Sequence, residues 1–315
     1  MWGWCKLPWG SAYEKGEDRF RVLAYLTRGL NQSENNGIAE MTWVATALRS
    51  KLALCAGDME YAQRLTSGML QSLDPEHRPQ LYEGVTAFSC WLSLYSNEIG
   101  RIRRWLETAP DETVEFCTLN RYFYMVKIYC YAALGKHTDA LMLISRMMAY
   151  ADYAQRTYIR LECGLLRAIV MRRTGSDWKE DFLQVLSAIS QYRFVPIISE
   201  KGAAILPLLT EAKAAFCQRC PAAAAWFNQV LDRTMHMARL YPNYLKGTGI
   251  DVSAFSDTAL EVLRLQAAGY TTREIAQQLH ITQRTVKYHA SENYRKLDAR
   301  NLVDAVQIAQ SLHIL

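Results

Sequence analysis

Helix-breaking residues recur along most of this chain at a nearly constant interval, and this interval constrains the fold more than any other feature. Apolar residues follow three- and four-residue spacings between the breaks, without the sustained alternation typical of strands. A period of this size predicts helix pairs stacked into an array, so we expect an all-α fold. The breaks lie about 38–40 residues apart, at Ala56-Gly-Asp58, Ser96-Asn97, Leu134-Gly135-Lys136 and Thr174-Gly175-Ser176.

An apolar-periodic segment follows three of these breaks, which predicts the second helix of a pair. Ala62 and Ala140 each lie five positions after a glycine, where paired helices would approach closely. The pattern resembles tetratricopeptide-like helix pairs with a lengthened period, of the kind found in MalT-like regulators. An irregular helical domain is the alternative. Second helices are expected at Met59–Leu73, Ile99–Leu106 and His137–Ala149, and first helices at Met41–Cys55 and Arg121–Ala133.

Composition indicates a soluble globular protein. Of the 315 residues, 50% are apolar and 21% are charged, as in ordinary folded domains. The eight cysteines are scattered singly, which predicts reduced core residues rather than a disulfide framework. The first residues lack the charge and apolar run of a signal peptide, and the apolar stretch Tyr122–Leu134 carries Lys127 and is too short to span a bilayer. We expect a cytoplasmic protein without a membrane partner.

The end of the array is marked by a change of composition. Pro242, Gly247 and Gly249 lie within the nine residues 241–249, which predicts a linker out of the array. We therefore divide the chain into an N-terminal segment 1–36 of uncertain structure, a helical array 37–245, a linker 246–254 and a second domain 255–315.

The second domain has the pattern of a helix-turn-helix. Leu260 and Leu263 belong to a first amphipathic helix that ends at Gly269. Thr271 with Glu274 three residues later is a capping box that opens a second, short helix. A third helix follows a turn at residues 280–281.

The third helix has two contrasting faces. Thr282 is placed to cap it. The buried stripe is predicted at Val286, Ala290, Tyr294 (or Asn293) and Leu297. The opposite face combines cations with polar groups, as a helix in the major groove of DNA requires. This exposed stripe consists of Arg284, Lys287, Tyr288, Ser291 and Arg295, at spacings of three and four.

Positive charge is concentrated on this helix rather than on the whole chain. The net charge of +5 over 315 residues is too small to indicate nucleic-acid binding by itself. Residues 281–300 contain five lysines or arginines against two acids, whereas residues 255–315 contain seven against six. The local excess therefore lies on the predicted recognition helix.

About sixty C-terminal residues resemble the LuxR (GerE, NarL) helix-turn-helix signature, which they match at many positions with the same spacing. They depart from it at Thr258-Ala259, where the family commonly has an Arg-Glu pair, and at Asp298, where a glycine is usual. The matching positions are Glu261-Val-Leu263, Gly269, Glu274-Ile-Ala276, Leu279, Ile281-Thr282, Thr285-Val-Lys287, His289, Lys296-Leu297, Arg300 and Asp304-Ala-Val306.

The resemblance implies roles for individual residues. The helix Gln283–Leu297 would enter the major groove of double-stranded DNA, with Lys287, Tyr288 and Ser291 nearest the bases. A fourth helix, about Leu302–Leu312, would join two copies into a dimer on two half-sites. Candidates for phosphate contact or positioning are Thr272, Thr282, Thr285, His289 and Arg295. Candidates for dimerisation are Val303, Val306 and Gln310.

Other kinds of site are not indicated. Cys217-Gln-Arg-Cys220 is a single pair without further ligands at metal-binding spacing, the six histidines form no metal-hydrolase motif, and no phosphate-binding glycine loop occurs. We therefore predict a DNA-binding transcriptional regulator without cofactor, metal or enzymatic activity, whose array binds a small-molecule or protein effector. The alternative is an interaction scaffold whose helix-turn-helix contacts protein. The aromatic residues of the array are expected in its core more than in an effector groove.

Overall fold

In the computed structural model, the described residues are 26–27, 38–112, 116–246, 255–297 and 299–311. Helices are the regular structure in these ranges and no strand occurs there, which confirms the predicted all-α fold class. The N-terminal segment 1–36, apart from residues 26–27, and linker residues 247–254 lie outside them. The helices are α1 Ala39–Cys55, α2 Met59–Ser72, α3 Pro79–Ser93, α4 Ile99–Thr108, α5 Arg121–Ala133, α6 His137–Tyr153, α7 Thr157–Arg173, α8 Lys179–Tyr192, α9 Pro196–Ser199, α10 Gly202–Arg219, α11 Ala224–Leu240, α12 Asp257–Ala267, α13 Thr272–Gln278, α14 Gln283–Leu297 and α15 Leu302–Ser311.

The chain divides into two compact units. The first is Met1–Lys246, which contains α1–α11, and the second is Gly247–Leu315, which contains α12–α15. Each unit has apolar clusters of its own. They are described separately below, the first as the array and the second as the C-terminal unit.

The array repeats one helix-ending turn at the four predicted breaks. At each break, the residue that follows the left-handed residue donates its N–H to the carbonyl oxygen five residues earlier, as Asp58 does to Ala53 at 3.0 Å. This is the Schellman motif, in which a left-handed residue ends a helix. The regular spacing in the sequence is therefore a repeated helix stop. The four left-handed residues, with φ between 56° and 83°, are Gly57, Asn97, Gly135 and Gly175.

Successive helix pairs stack to form one continuous core. Helix α1 packs on α2, α3 on α4, α5 on α6 and α7 on α8, while α1, α3, α5 and α7 also pack in sequence on one another. Ala62 and Ala140 are fully buried, as their spacing predicted. The aromatic residues expected in the core are there: each of Trp43, Trp91, Trp105, Trp178 and Trp226 is at most 8% exposed.

The end of the array packs against its beginning. The Tyr241 hydroxyl donates to the carbonyl oxygen of Leu54 in α1 at 2.9 Å, and the Tyr244 ring stacks on Tyr95, with centroids 4.1 Å apart. Tyr244 and Leu245 are each only 1% exposed. Tyr241, Tyr244 and Leu245 therefore belong to the core of the array, although Pro242 and the glycines that follow are typical of a linker.

Charged side chains that are distant in the sequence are buried together in the array. Lys51 Nζ lies 2.9 Å from Glu200 Oε2, and Lys201 Nζ lies 3.7 Å from Glu162 Oε1. The Tyr129 hydroxyl also donates to Glu162. Burial raises the pKa of Glu162, and the nearby Lys201 opposes this shift. These groups join α1, α5, α7 and the α9–α10 junction through polar contacts.

The cysteines are only partly the core residues that the sequence predicted. Cys90, Cys130 and Cys163 are buried, and burial raises the pKa of the Cys130 thiol. Four others are half-buried and lie at or near helix ends or in a loop. Two of these, Cys55 and Cys220, pack against the apolar core. Cys5 lies outside the described residues. The half-buried cysteines are Cys55, Cys117, Cys217 and Cys220.

Candidate nucleic-acid interface

Local capping fixes the start of the short helix α13. The Thr271 hydroxyl accepts the N–H of Glu274, and the Glu274 carboxylate accepts the N–H of Thr271 at 2.8 Å. The bond from the Thr271 N–H holds the pKa of the Glu274 carboxyl below its usual value. The predicted capping box is thus confirmed, and it satisfies two backbone donors that a helix start leaves open.

A tight turn then leads into α14. His280 adopts a left-handed conformation with φ of 53°, and the N–H of Ile281 bonds the carbonyl oxygen of Ala276 at 3.0 Å. The Thr282 hydroxyl accepts the N–H of Thr285 at 3.1 Å, which confirms the predicted cap. The two threonine hydroxyls lie 2.9 Å apart, so both help to define the first turn of α14.

The buried face of α14 holds the helix on its neighbours. Val286 packs with Val262 of α12 and Ile275 of α13, while Leu297 packs with residues of α12 and α15. Of the two alternatives offered for the fourth buried position, Asn293 is correct: it is fully buried, whereas Tyr294 is half-buried. Sequence reasoning favoured Tyr294 because apolar and aromatic side chains are buried more often than amides.

The opposite face of α14 is open to solvent. Tyr288 is 62% exposed and lies beside the ring of His289, with centroids 5.6 Å apart. Of the phosphate-contact candidates, Thr282 is exposed, whereas Thr272, Thr285 and His289 are half-buried. The five residues predicted to share the outward face all do so: Arg284, Lys287, Tyr288, Ser291 and Arg295 are exposed.

An ion pair on this helix was not predicted from the sequence. Glu292 receives two hydrogen bonds from the Arg295 guanidinium, at 3.0 Å from Nε and 2.8 Å from a terminal nitrogen. This pairing lowers the pKa of Glu292 and raises that of Arg295. Their spacing of three residues on a helix was the available signal. Glu292 therefore orients Arg295 and partly offsets its charge.

The three dimerisation candidates on α15 have different surroundings. Val303 is 68% exposed and Gln310 is exposed. Val306 is half-buried and packs against the cluster that contains Leu297. Two of the three side chains are thus available to a partner, while the third also supports the fold of the unit.

The remaining chemistry of the described residues is sparse. They contain no group of three or more His, Cys, Asp or Glu side chains that could hold a metal ion. Cys217 and Cys220 are both free thiols, and Cys220 Sγ lies 3.4 Å from the Ser187 hydroxyl. None of the described helices combines the length and the apolar character that a membrane span requires.

Comparison with known proteins identifies the C-terminal unit. Residues 253–309 match the profile of the family of bacterial regulatory proteins, luxR family. No solved structure matches the chain closely enough to count as a relative.

Two curated proteins are similar to part of the chain. One is the uncharacterized transcriptional regulatory protein YvfU of Bacillus subtilis (strain 168), 44% identical over 50 residues, which are 16% of this chain and 25% of the relative. The other is the response regulator RamR of Streptomyces coelicolor, 37% identical over 81 residues, 26% of this chain and 36% of the relative. The chain thus matches about a quarter to a third of each relative. Its C-terminal unit carries a helix-turn-helix domain of the LuxR family.

Proposed function

We propose that this protein is a sequence-specific transcriptional regulator that binds double-stranded DNA through α14. The observation that carries the proposal is the exposed face of α14, which presents three cations, a tyrosine and a serine. The other face of this helix packs into the core of a LuxR-family domain. The similar curated proteins, which are named as a transcriptional regulatory protein and a response regulator, support it.

The chemistry of this face suits a base-reading helix. The major groove admits an α-helix, and Lys side chains bind guanine edges there, while Ser and aromatic groups contact other base edges. We assign Lys287, Tyr288 and Ser291 to the bases, since they occupy the middle of the exposed face. Cations bind phosphates through charge, and hydroxyl groups do so through hydrogen bonds. We assign to the phosphates Thr272, Thr282, Arg284, Thr285, His289 and Arg295.

Selection of a duplex from a random-sequence library by the full chain tests this function. We expect the selected duplex to bind at least a hundredfold more tightly than a scrambled one, because base contacts discriminate by about 1–3 kcal/mol each. Both affinities should fall as salt rises, because bound phosphates release counterions. Absence of selection would contradict the proposal. A protein partner recovered in that case would favour the scaffold alternative.

We also propose that two copies bind DNA together through α15. Val303 is a large apolar side chain left in solvent, and Gln310 lies two turns further along the same helix. A second copy of α15 would cover both. Val303→Asp should therefore reduce the proportion of dimer on the selected duplex in analytical ultracentrifugation, with no loss of fold. An unchanged dimer would contradict this assignment.

The array is proposed as the regulatory module, which binds a small molecule or a protein. Tyr241 and Tyr244 already contact the first two helix pairs, so an effector that binds at the same position must displace them. Tyr244→Ala changes only the array. We expect it to alter the affinity of the full chain for DNA while circular dichroism shows the helices intact. Unaltered affinity would argue against a regulatory role for the packing of residues 241–245 on the first two helix pairs.

A further inference from the structure

A fully buried amide interrupts the apolar stripe of α14. The buried residues of this helix are Val286, Ala290, Asn293 and Leu297, and Asn293 is 0% exposed. Its Nδ2 donates to the carbonyl oxygen of Ala259, in the first turn of α12, at 2.7 Å. Its Oδ1 is also buried and has no hydrogen-bond partner among the residues that the structure describes. An incompletely satisfied buried amide destabilises a fold, so its presence calls for a compensating role.

The position of Asn293 in the C-terminal unit suggests that role. The apolar residues of this unit form two separate clusters. One joins α12 and α13 to the start of α14 through Val286, and the other joins α12 and α15 to the end of α14 through Leu297. Asn293 lies between these two positions along the helix and belongs to neither cluster. It therefore adds a directional polar contact between α14 and α12 beside the apolar contacts of the second cluster, against which the neighbouring residues Tyr294 and Leu260 pack.

A directional bond constrains a helix in a way that apolar packing does not. Apolar contacts tolerate small slides and rotations, whereas the bond from Asn293 to Ala259 forms in only one register. A slip of one residue would move a helix by about 1.5 Å along its axis and turn it by about 100°. Single buried asparagines fix helix register in this way in coiled coils, at some cost in stability.

We propose that Asn293 is a positioning residue that fixes the register of α14 on α12 and thereby aims Lys287, Tyr288 and Ser291 at the bases. This inference rests on the proposed function of α14 as the DNA-reading helix. Asn293 lies only two residues from Ser291 and five from Tyr288, so any slip at Asn293 is transmitted to both along a rigid helix. Phosphate contacts depend on charge more than on register, so they tolerate such a slip.

The test compares Asn293→Leu with the wild-type full chain. Leucine has the same branched arrangement of side-chain heavy atoms and would join the apolar contacts around it, so thermal unfolding should begin no earlier than in the wild type. We expect the affinity for the selected duplex to fall at least tenfold, while the affinity for the scrambled duplex changes by no more than about twofold. A purely structural role would lower the unfolding temperature or change both affinities together.

Tyr294→Phe is the matched control. It removes the hydroxyl of the residue next to Asn293, which is half-buried and packs against the cluster that contains Leu297, but leaves Asn293 in place. Its ratio of selected to scrambled affinity should stay within about twofold of the wild type. If Asn293→Leu does not fold, Asn293→Ala is measured for the same ratio.

Two outcomes would overturn the proposal and are distinguishable from each other. A folded Asn293 variant with the wild-type affinity ratio, or an equal loss in Tyr294→Phe, rejects the positioning role alone. A wild-type chain that selects no duplex rejects the proposed function and, with it, this inference.

Discussion

The array buries several charged residues, whereas none of the described charged residues of the C-terminal unit is buried. In the array, Lys201 is 2% exposed and lies close to Glu162, which is 5% exposed. In the C-terminal unit, Arg284 and Lys287 extend into solvent from the outward face of α14. Buried charges require fixed partners and so favour one arrangement of the chain. Exposed cations remain available to an anionic partner. The first unit thus uses charge for structure, and the second offers it for binding.

The two units also differ in how their cores are built. One continuous apolar cluster extends through α1–α11, from Trp43 to Leu245. The smaller unit has two clusters, and α14 contributes to both. A larger domain buries a larger fraction of its surface, so the array has more stability to lose before it unfolds. Its tryptophans permit a selective measurement, because none follows Trp226 in the sequence and their fluorescence reports on the first unit.

Loss of a buried charge should have the largest effect. We expect Lys201→Met to lower the free energy of unfolding of the array by about 3–5 kcal/mol, because it leaves Glu162 with one fewer partner in a buried site. Urea unfolding followed by tryptophan fluorescence measures this. Arg219→Met is the control, since its pair with Glu180 is exposed and is worth at most about 1 kcal/mol. If both variants lost the same free energy of unfolding, buried and exposed charged pairs would not differ in their contribution to stability.

Glycine-to-alanine substitutions should have smaller effects on the free energy of unfolding. The sign should differ between the repeated left-handed turn and a helix interior. Gly175 has a φ of 71°, and an added Cβ would meet no atom within 4 Å. Gly175→Ala should therefore cost about 1–2 kcal/mol through backbone strain alone. Gly68 lies inside α2 with equally open surroundings, so Gly68→Ala should stabilise the array by up to about 1 kcal/mol. The same fluorescence assay applies, and changes of the same sign would contradict the role of the left-handed turn.

The stability of the array should depend modestly on pH near neutrality. Burial lowers the pKa of His137 below its ordinary value of 6.5, and the charge of Arg173 lowers it further. The unfolded chain then takes up a proton at a higher pH than the folded chain does. The contribution of neutral His137 to the free energy of unfolding is therefore complete above its ordinary pKa. It declines as the pH falls from there towards the lower pKa of the folded chain.

Replacement of that histidine tests this sign. His137→Gln should lose less stability than the wild type between about pH 7.5 and pH 5.5, because glutamine does not titrate. The measurement is the urea midpoint of tryptophan fluorescence at the two pH values. An identical decline in both proteins would exclude His137 as a source of the acid sensitivity.

Sequence reasoning succeeded where the controlling interactions are local. The helix stops at Gly57 and Gly135, the capping box at Thr271 and the outward face around Lys287 all depend on residues within a few positions of one another. Each has a fixed spacing that the sequence displays directly. The DNA-contact roles assigned to the residues of that face are predictions.

Sequence reasoning failed where distant segments meet. The contact of Tyr241 with Leu54 joins residues 187 positions apart, and Lys51 reaches Glu200 across 149 positions. No local spacing indicates either contact. The burial of Asn293 is a further case, because its carbonyl partner on Ala259 lies in another helix.

The affinity of Lys287→Ala for the selected duplex tests the central claim most directly. If α14 reads DNA, removal of this exposed cation should weaken binding by about 1–3 kcal/mol, or roughly five- to 150-fold. The unfolding temperature should not change. Arg264→Ala removes an equal charge from α12 and should stay within about twofold of the wild type. Unchanged affinity for Lys287→Ala, or the same loss in both variants, would contradict the assignment of α14 as the DNA-reading helix.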